Sequence, residues 1–415
     1  MIAFKLFEAA AACIVDSFTK KRVKRMSQLF MFEKPLGMRD TLPELYETKD
    51  HVRSSIEEEM KRWGYQFIET PALEYYETVG AVSAILDQQL FKLLDQQGHT
   101  LVLRPDMTAP IARVAASKLL KDDIPLRLAY SANVYRAQQR EGGRPAEFEQ
   151  IGVECIGDRT ISADGEVIAL MISSLKEAGL SEFQVSVGHI GFVQEFFRQI
   201  LGTEERANAL MKFLYEKNYV GYREHVKALG LSSIDKQRLL EFLQLRGGEE
   251  VIERGFELIE NGCGAEAVHQ LRQLWETISD YGEEASVKFD LTLVSHMSYY
   301  TGILFEVYAG NVGFPIGNGG RYDLLLQKFG KSTGATGFAL RLDRMIEALG
   351  TLEKSEPVIC ILFSAERRKE AFEMAKTKRA DGMRVVLQDI NGVNNVDACT
   401  NKYADTIFLL GRGPS

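Results

Sequence analysis

Val52, Ile56, Met60 and Trp63 recur at steps of four, four and three through an otherwise charged stretch. That spacing predicts one buried face of a helix, which Gly64 is placed to close. Phe67-Ile68-Glu69-Thr70-Pro71 then reads as a strand whose proline belongs at an edge or an end. Residues 101–103, 126–135 and 148–157 read as further strands. From about 192 to 281 the pattern turns wholly helical. Leu239, Phe242 and Leu243 form an i, i+3, i+4 stripe, with Ser232 and Asp235 placed as a capping box and Gly247 as a stop. Strands return at 287–291 and 303–308, so the helical block reads as an insertion in a strand-rich domain.

Past residue 352 the pattern becomes a small α/β one, with strand 358–363, helix 365–379 and strands 385–387 and 406–410. The chain thus divides into a core, 26–352, with its helical insertion at 192–281, and a short C-terminal α/β subdomain, 353–415. Residues 1–25 stand apart: their apolar run is followed by Lys20, Lys21, Arg22, Lys24 and Arg25, whereas a secretory signal carries its basic residues first. They read as an N-terminal extension outside the fold, with Met26 as the natural start.

Composition narrows the classes. A chain of 415 residues that is 45% hydrophobic and 26% charged is not disordered. No run approaches the roughly 18 apolar residues that span a bilayer, so no membrane role is expected. Five cysteines (13, 155, 263, 360 and 399) lie scattered without a Cys-x-x-Cys pair, which argues against a disulfide framework or a zinc site and fits a reducing cytoplasm. A net charge of −8 argues against holding nucleic acid by bulk charge.

Four segments carry candidate chemistry. In Leu103-Arg104-Pro105-Asp106-Met107-Thr108, a strand ends in a carboxylate and a hydroxyl that can accept from an ammonium, although Asp106 reads equally well as a helix cap. From Tyr135 to Gln150, two strands flank a Gly-Gly loop with Arg136, Arg140 and Arg144, a hairpin able to present guanidinium groups to a phosphate or carboxylate, or a solvated charged loop. The paired Tyr299 and Tyr300 precede a buried strand, a position where tyrosines usually pack. The run Gly317-Asn318-Gly319-Gly320-Arg321-Tyr322-Asp323 reads as a glycine-rich loop or turn, followed by 337–344.

In their order and spacing these segments are informative. The chain from Phe32 to Gly350 resembles the catalytic core of a class II histidyl-tRNA synthetase. The resemblance begins at Pro35-Leu36-Gly37-Met38-Arg39-Asp40, takes in Pro71 of motif 1 and the Arg136 hairpin (motif 2), and ends with the Tyr-Tyr-Thr-Gly loop and motif 3 at 337–344. It implies an α+β fold, an antiparallel sheet flanked by helices, in a homodimer. It also implies a histidine pocket, with Asp106 and Thr108 on the ammonium, Gln150 beside them and Arg136 facing the carboxylate. Glu154 and Tyr300, next to Tyr299, would take the two imidazole nitrogens, Glu154 as a charged acceptor.

The departures bear on activity. Where the histidine branch carries Arg-Gly-Leu-Asp before its tyrosines, this chain has Ser295-His296-Met297-Ser298. The arginine replaced by Ser295 steadies the α-phosphate, and losing such a charge commonly costs about 10²–10³ in rate. Gln138 and Ala146 replace a glutamate and an arginine of motif 2, Arg341 replaces the glycine on which adenine lies, and Asp343 replaces a glutamate. After residue 356, nine Lys/Arg face seven Asp/Glu, a poor surface for tRNA.

A synthetase-like chain that keeps a histidine pocket but degenerates on the ATP side resembles the regulatory subunit family of ATP phosphoribosyltransferase. That resemblance implies a chain with no catalysis, metal or cofactor of its own, bound to the short-form catalytic subunit in a hetero-oligomer. Its effector would be histidine, its setting the first step of histidine biosynthesis, and it would bind no tRNA. A divergent active histidyl-tRNA synthetase and a synthetase-like paralogue of another pathway are the competing readings.

Overall fold

The stripe of Val52, Ile56 and Met60 is buried on helix α1 (Pro43–Arg62), which starts on proline, carries Lys61 and Arg62 in its last turn and gives way to Gly64 at φ +81°. The computed structural model describes residues 33–121, 124–137, 145–259, 263–295, 299–350 and 357–411; the expected extension at 1–25 lies outside them. The strand expected at 67–71 is shorter and shifted. β1 (Gln66–Phe67) pairs parallel to the strand at 126–135 and gains one more bond, from Ile68 N–H to Ala129 O at 2.9 Å. It ends there because Arg104 Nη1 takes the Thr70 carbonyl at 2.5 Å and Pro71 has no N–H to give.

A three-stranded sheet follows, β2 (Leu73–Tyr75), β3 (Lys92–Leu94) and β4 (Thr100–Leu103), in the order β2-β4-β3. After α2 (Thr108–Val114) come the two long strands expected from the pattern, β5 (Leu126–Tyr135) and β6 (Glu147–Ile156). Helix α3 (Ile161–Glu177) and β7 (Phe183–His189) lead into the helical insertion. The insertion comprises α4 (Ile190–Leu201), α5 (Glu204–Tyr215), α6 (Tyr219–Ala228), α7 (Ser233–Phe242), a two-residue β8 (Arg246–Gly247), α8 (Glu250–Leu258) and α9 (Cys263–Asp280). Ser232 Oγ caps α7 by accepting from Asp235 N–H at 3.1 Å. Gly247 is not the stop of that helix: α7 ends at Phe242, and Arg246, bonded to Asp290 and Thr292, draws the next residues into an edge strand.

The core closes with β9 (Val287–Asp290), β10 (Ile303–Ala309), β11 (Gly317–Arg321), α10 (Asp323–Gln327), β12 (Ala335–Arg341) and α11 (Leu342–Leu349). Its nine-stranded sheet runs β1-β5-β6-β12-β11-β10-β7-β9-β8. Neighbours are antiparallel except β1 with β5 and β7 with β9, so the expected antiparallel sheet is mixed towards both edges. The glycine-rich run at 317 is not a loop but the central strand β11. A β-carbon on Gly319 would lie 2.4 Å from both Gly337 O and the Phe305 ring, so close packing imposes the glycine.

Two compact units result. One takes in the described residues up to Leu42 and Lys49–Gly350; the other takes in Pro43–Thr48 and those after Thr351. The second contains β13 (Val358–Phe363), α12 (Arg368–Ala380), β14 (Arg384–Asp389), α13 (Val396–Thr400) and β15 (Asp405–Leu409), with a parallel sheet in the order β14-β13-β15. Ala371 and Ala375 of α12 pack on Ile361, Phe363, Val385 and Leu409.

One buried ion pair ties α3 to the core sheet. Arg321 donates from Nε and Nη2 to Asp164 Oδ2 at 2.9 and 2.7 Å, and from its other N–H groups to the carbonyls of Asp158 and Thr160. Asp164 is fully buried. Removing one member of a buried pair strands the other charge, so Asp164→Ala is expected to cost about 3–5 kcal/mol. Urea unfolding followed by circular dichroism measures this; a midpoint within error of wild type would refute it.

Candidate functional site

Strand alternation builds the floor of the site. Phe148, Gln150 and Glu154 point to one face of β6, and all three line a cavity of about 460 Å³. Asp106 and Thr108 enter from the β4–α2 turn, Arg136 from the end of β5, and Tyr299 and Tyr300 from the segment before β10. All seven residues expected for a histidine pocket therefore line one cavity. Ser295 and Arg341 also line it. Ala146 does not: it is buried against the Gly37 turn, its N–H donating to Gly37 O at 2.8 Å. Gln138 lies outside the described residues.

The two readings of Asp106 prove compatible. Its Oδ1 accepts from Ala109 N–H at 3.1 Å, capping α2, while Oδ2 accepts from Ser83 Oγ at 2.5 Å, and the carboxylate still faces the cavity. Arg136 is oriented by its Nε donating to Pro105 O at 2.9 Å. Gln150 Oε1 is buried with no hydrogen-bond partner among the described residues. An unsatisfied acceptor in a cavity wall is costly unless an occupant supplies the donor.

Glu154 departs from the role given it by the sequence. Burial, with the Asp106 charge adding to it, pushes its carboxyl up to about 8 against the opposing hydrogen bonds of Tyr322 and Thr108. At neutral pH it is therefore largely an uncharged acid, not a charged acceptor. Its partner is Tyr322, whose hydroxyl donates to Glu154 Oε2. Tyr322 is the residue that sequence reasoning missed, although it stands in the quoted Gly-Gly-Arg-Tyr-Asp run. Tyr300 accepts at its hydroxyl from Asn318 Nδ2 at 3.2 Å, and Tyr299 stands edge-on to both Tyr300 and Tyr322, with centroids 5.2 and 5.8 Å apart.

Phe148 lies close to two guanidinium groups. Arg136 is 5.2 Å from the ring centroid and Arg341 3.7 Å, the latter also paired with Asp343 at 2.9 Å. The cavity thus has an acidic, tyrosine-walled end and an aromatic end covered by Arg341. Tyr215 and Lys217 of the insertion complete the lining. Among the described residues no three His, Cys, Asp or Glu side chains converge on a metal position.

Residues 37–345 match the family model of histidyl-tRNA synthetase, and residues 360–411 that of the histidyl-tRNA synthetase HisZ C-terminal domain. An ATP phosphoribosyltransferase regulatory subunit of Geobacillus kaustophilus is 65% identical over 385 residues, which are 93% of this chain and 98% of the relative. The chain belongs to the ATP phosphoribosyltransferase regulatory subunit family. A member from Bacillus subtilis is 59% identical over 92% of this chain and 98% of its own length. The crystal structure of an ATP phosphoribosyltransferase regulatory subunit/histidyl-tRNA synthetase from Bacillus halodurans is 60% identical, with a TM-score of 0.87, covering 92% of this chain and all of that one. A histidyl-tRNA synthetase from Nostoc, 19% identical, shares the fold alone at a TM-score of 0.76, covering 90% of this chain and 89% of its own. The family thus carries a class II synthetase-like fold.

The raised Glu154 carboxyl has a consequence for stability. Its ordinary value is 4.5, so between 4.5 and about 8 the folded chain keeps a proton that the unfolded chain has released. That stabilisation is complete below 4.5 and is lost as pH rises through about 8. Glu154→Gln is therefore expected to flatten the fall of Tm between pH 5 and pH 9 relative to wild type. Scanning calorimetry across that range checks it, and parallel Tm profiles for the two chains would contradict it.

Proposed function

We propose that this chain is the non-catalytic regulatory subunit of an ATP phosphoribosyltransferase, a glycosyltransferase complex acting in the cytoplasm. A homodimer of the chain assembles with short-form catalytic subunits into a hetero-oligomer, and free histidine is its small-molecule effector. The observation that carries the reading is the asymmetry of the cavity. Its amino-acid end offers Asp106 and Thr108 to an ammonium, Arg136 to a carboxylate and Gln150 Oε1 to a donor, with Glu154 and Tyr300 at the side-chain end. Its other end is covered by the chain itself, since Arg341 lies on the Phe148 face at a distance where an adenine would stack. Ser295 has no charge to place against an α-phosphate.

An imidazole has one donor and one acceptor nitrogen in its neutral form, and a neutral acid facing a phenol can satisfy both. Such paired polar contacts reject isosteres more strongly than shape alone. Neither adenylate formation nor tRNA charging is part of this reading. Among the described residues no helix is long and apolar enough to cross a membrane.

Mixing the chain with a short-form catalytic subunit is expected to yield co-elution and histidine-sensitive turnover, without histidine-dependent exchange of pyrophosphate into ATP by the chain alone. Asp106→Asn removes a charged acceptor, and isothermal calorimetry should show histidine binding weakened by about 1.5–3 kcal/mol. Charging of tRNA by the purified chain would overturn the proposal.

A further inference from the structure

Helix α5 of the insertion ends in a Schellman turn: Asn218 N–H donates to Phe213 O at 2.8 Å and Lys217 N–H to Leu214 O at 3.0 Å. The second of these donors, Lys217, has φ +51° and is the only non-glycine residue with positive φ among those described. Glycine is the residue favoured there, because a β-carbon destabilises the left-handed conformation. Lysine therefore stands where glycine is the favoured residue. Its ammonium lies 3.9 Å from Glu306 Oε2 and is 58% exposed, a pair of the kind that contributes little to folding.

The direction of that side chain is informative. Lys217 Nζ donates to Tyr308 Oη at 2.9 Å, and the Tyr308 hydroxyl donates to Glu306 Oε2. Lys217 and Glu306 both line the cavity. Glu306 stands directly across the β10–β11 ladder from Asn318, and Asn318 Nδ2 donates to the Tyr300 hydroxyl. A row of polar side chains therefore leads from the end of an insertion helix to Tyr300 at the cavity, hydrogen-bonded at each step but one, where Glu306 and Asn318 face each other across the ladder. Strained backbone at a site wall, held by a side chain that reaches into that wall, is the pattern expected where strain serves function.

We propose that Lys217 is a positioning residue through which the helical insertion sets the outer wall of the cavity, so that amino-acid binding there and ordering of the α5–α6 segment are coupled. This rests on the reading of the cavity as a histidine site. Lys217 neutralises Glu306 beside the Asn318–Tyr300 pair; without the cation, that carboxylate competes for the amide that orients the tyrosine.

The test uses the full-length chain with Lys217→Gly, Lys217→Gln and Lys217→Arg, read by calorimetry with L-histidine, by hydrogen exchange of residues 204–228 with and without histidine, and by Tm. Lys217→Gly relieves the backbone and is expected to melt at or above the wild-type temperature, yet to bind histidine about three- to ten-fold more weakly. Lys217→Gln keeps the backbone cost and should lose the same affinity, whereas Lys217→Arg should stay within about two-fold. Histidine should slow exchange across 204–228 in wild type and Lys217→Arg, and not in the other two. Wild-type affinity and wild-type protection in both Lys217→Gly and Lys217→Gln would overturn the proposal while leaving the histidine site standing. Absence of histidine binding by the wild-type chain would overturn both.

Discussion

A β-carbon at Gly337 would lie 2.1 Å from Glu154 Oε2 and 2.3 Å from Val153 O. The site exists because that position is bare. Gly337 stands across the β6–β12 ladder from Glu154, and only glycine leaves room for a carboxyl to fold down against the sheet. Once there, the group is out of water, and a buried carboxyl with no cation paired to it is tolerable only if it is neutral and hydrogen-bonded. The Tyr322 hydroxyl and Thr108 supply the bonds, and burial supplies the neutrality. Tyr130 is accommodated in the same way: a β-carbon on Gly152 would lie 2.7 Å from its hydroxyl. Two missing side chains on adjacent strands thus set Glu154, its partner Tyr322 and Tyr130 around one space.

The same sheet sets how one half of the cavity is filled. The arginine on β12 points into the cavity, and Phe148 on β6 offers it an aromatic face at 3.7 Å, with Asp343 balancing its charge. Nothing in the backbone must move to close that half, because one long side chain satisfies itself within the fold. The end holding Asp106, Thr108 and the tyrosines draws on further elements, the β4–α2 turn and the segment before β10, beside the Gln150 and Glu154 positions of β6. A fold of this kind fixes where groups can meet and leaves open what they do, so function has to be read from the site.

Much of this was legible in the pattern. β5 and β6 were clear because ten-residue runs of strand formers flank a turn, and α1 because its apolar positions keep helical spacing. Residues Asp106 to Tyr300 were legible as a set because their order resembles that of a family, while the cavity that joins them is a product of tertiary packing. What escaped has physical reasons. β11 is made of glycine because both neighbours press on it, and a glycine-rich central strand looks like a loop in sequence. β12 is buried almost throughout and shows no alternation, and β1 and β8 have two residues each. The state of Glu154 depends on burial, which spacing does not report, and Lys217 is distinguished by a backbone angle that composition does not encode.

The origin of the walls bears on regulation. A ligand shifts an equilibrium only as far as it binds one state better than another, and a packed nine-stranded sheet offers few alternative states of its own. Other parts of the wall reach the cavity from outside that sheet: the turn carrying Ser83, which is tied to Asp106; the α5–α6 turn carrying Lys217; and the residues Ser295, Tyr299 and Tyr300. These belong to distant parts of the sequence and meet at the cavity. An amino acid held by all three would make contacts that no single segment can make alone. Its binding energy is therefore a function of how those segments are arranged. By linkage, whatever rearranges them, a partner subunit included, must change the affinity for the amino acid by the same factor that the amino acid changes the affinity for the partner.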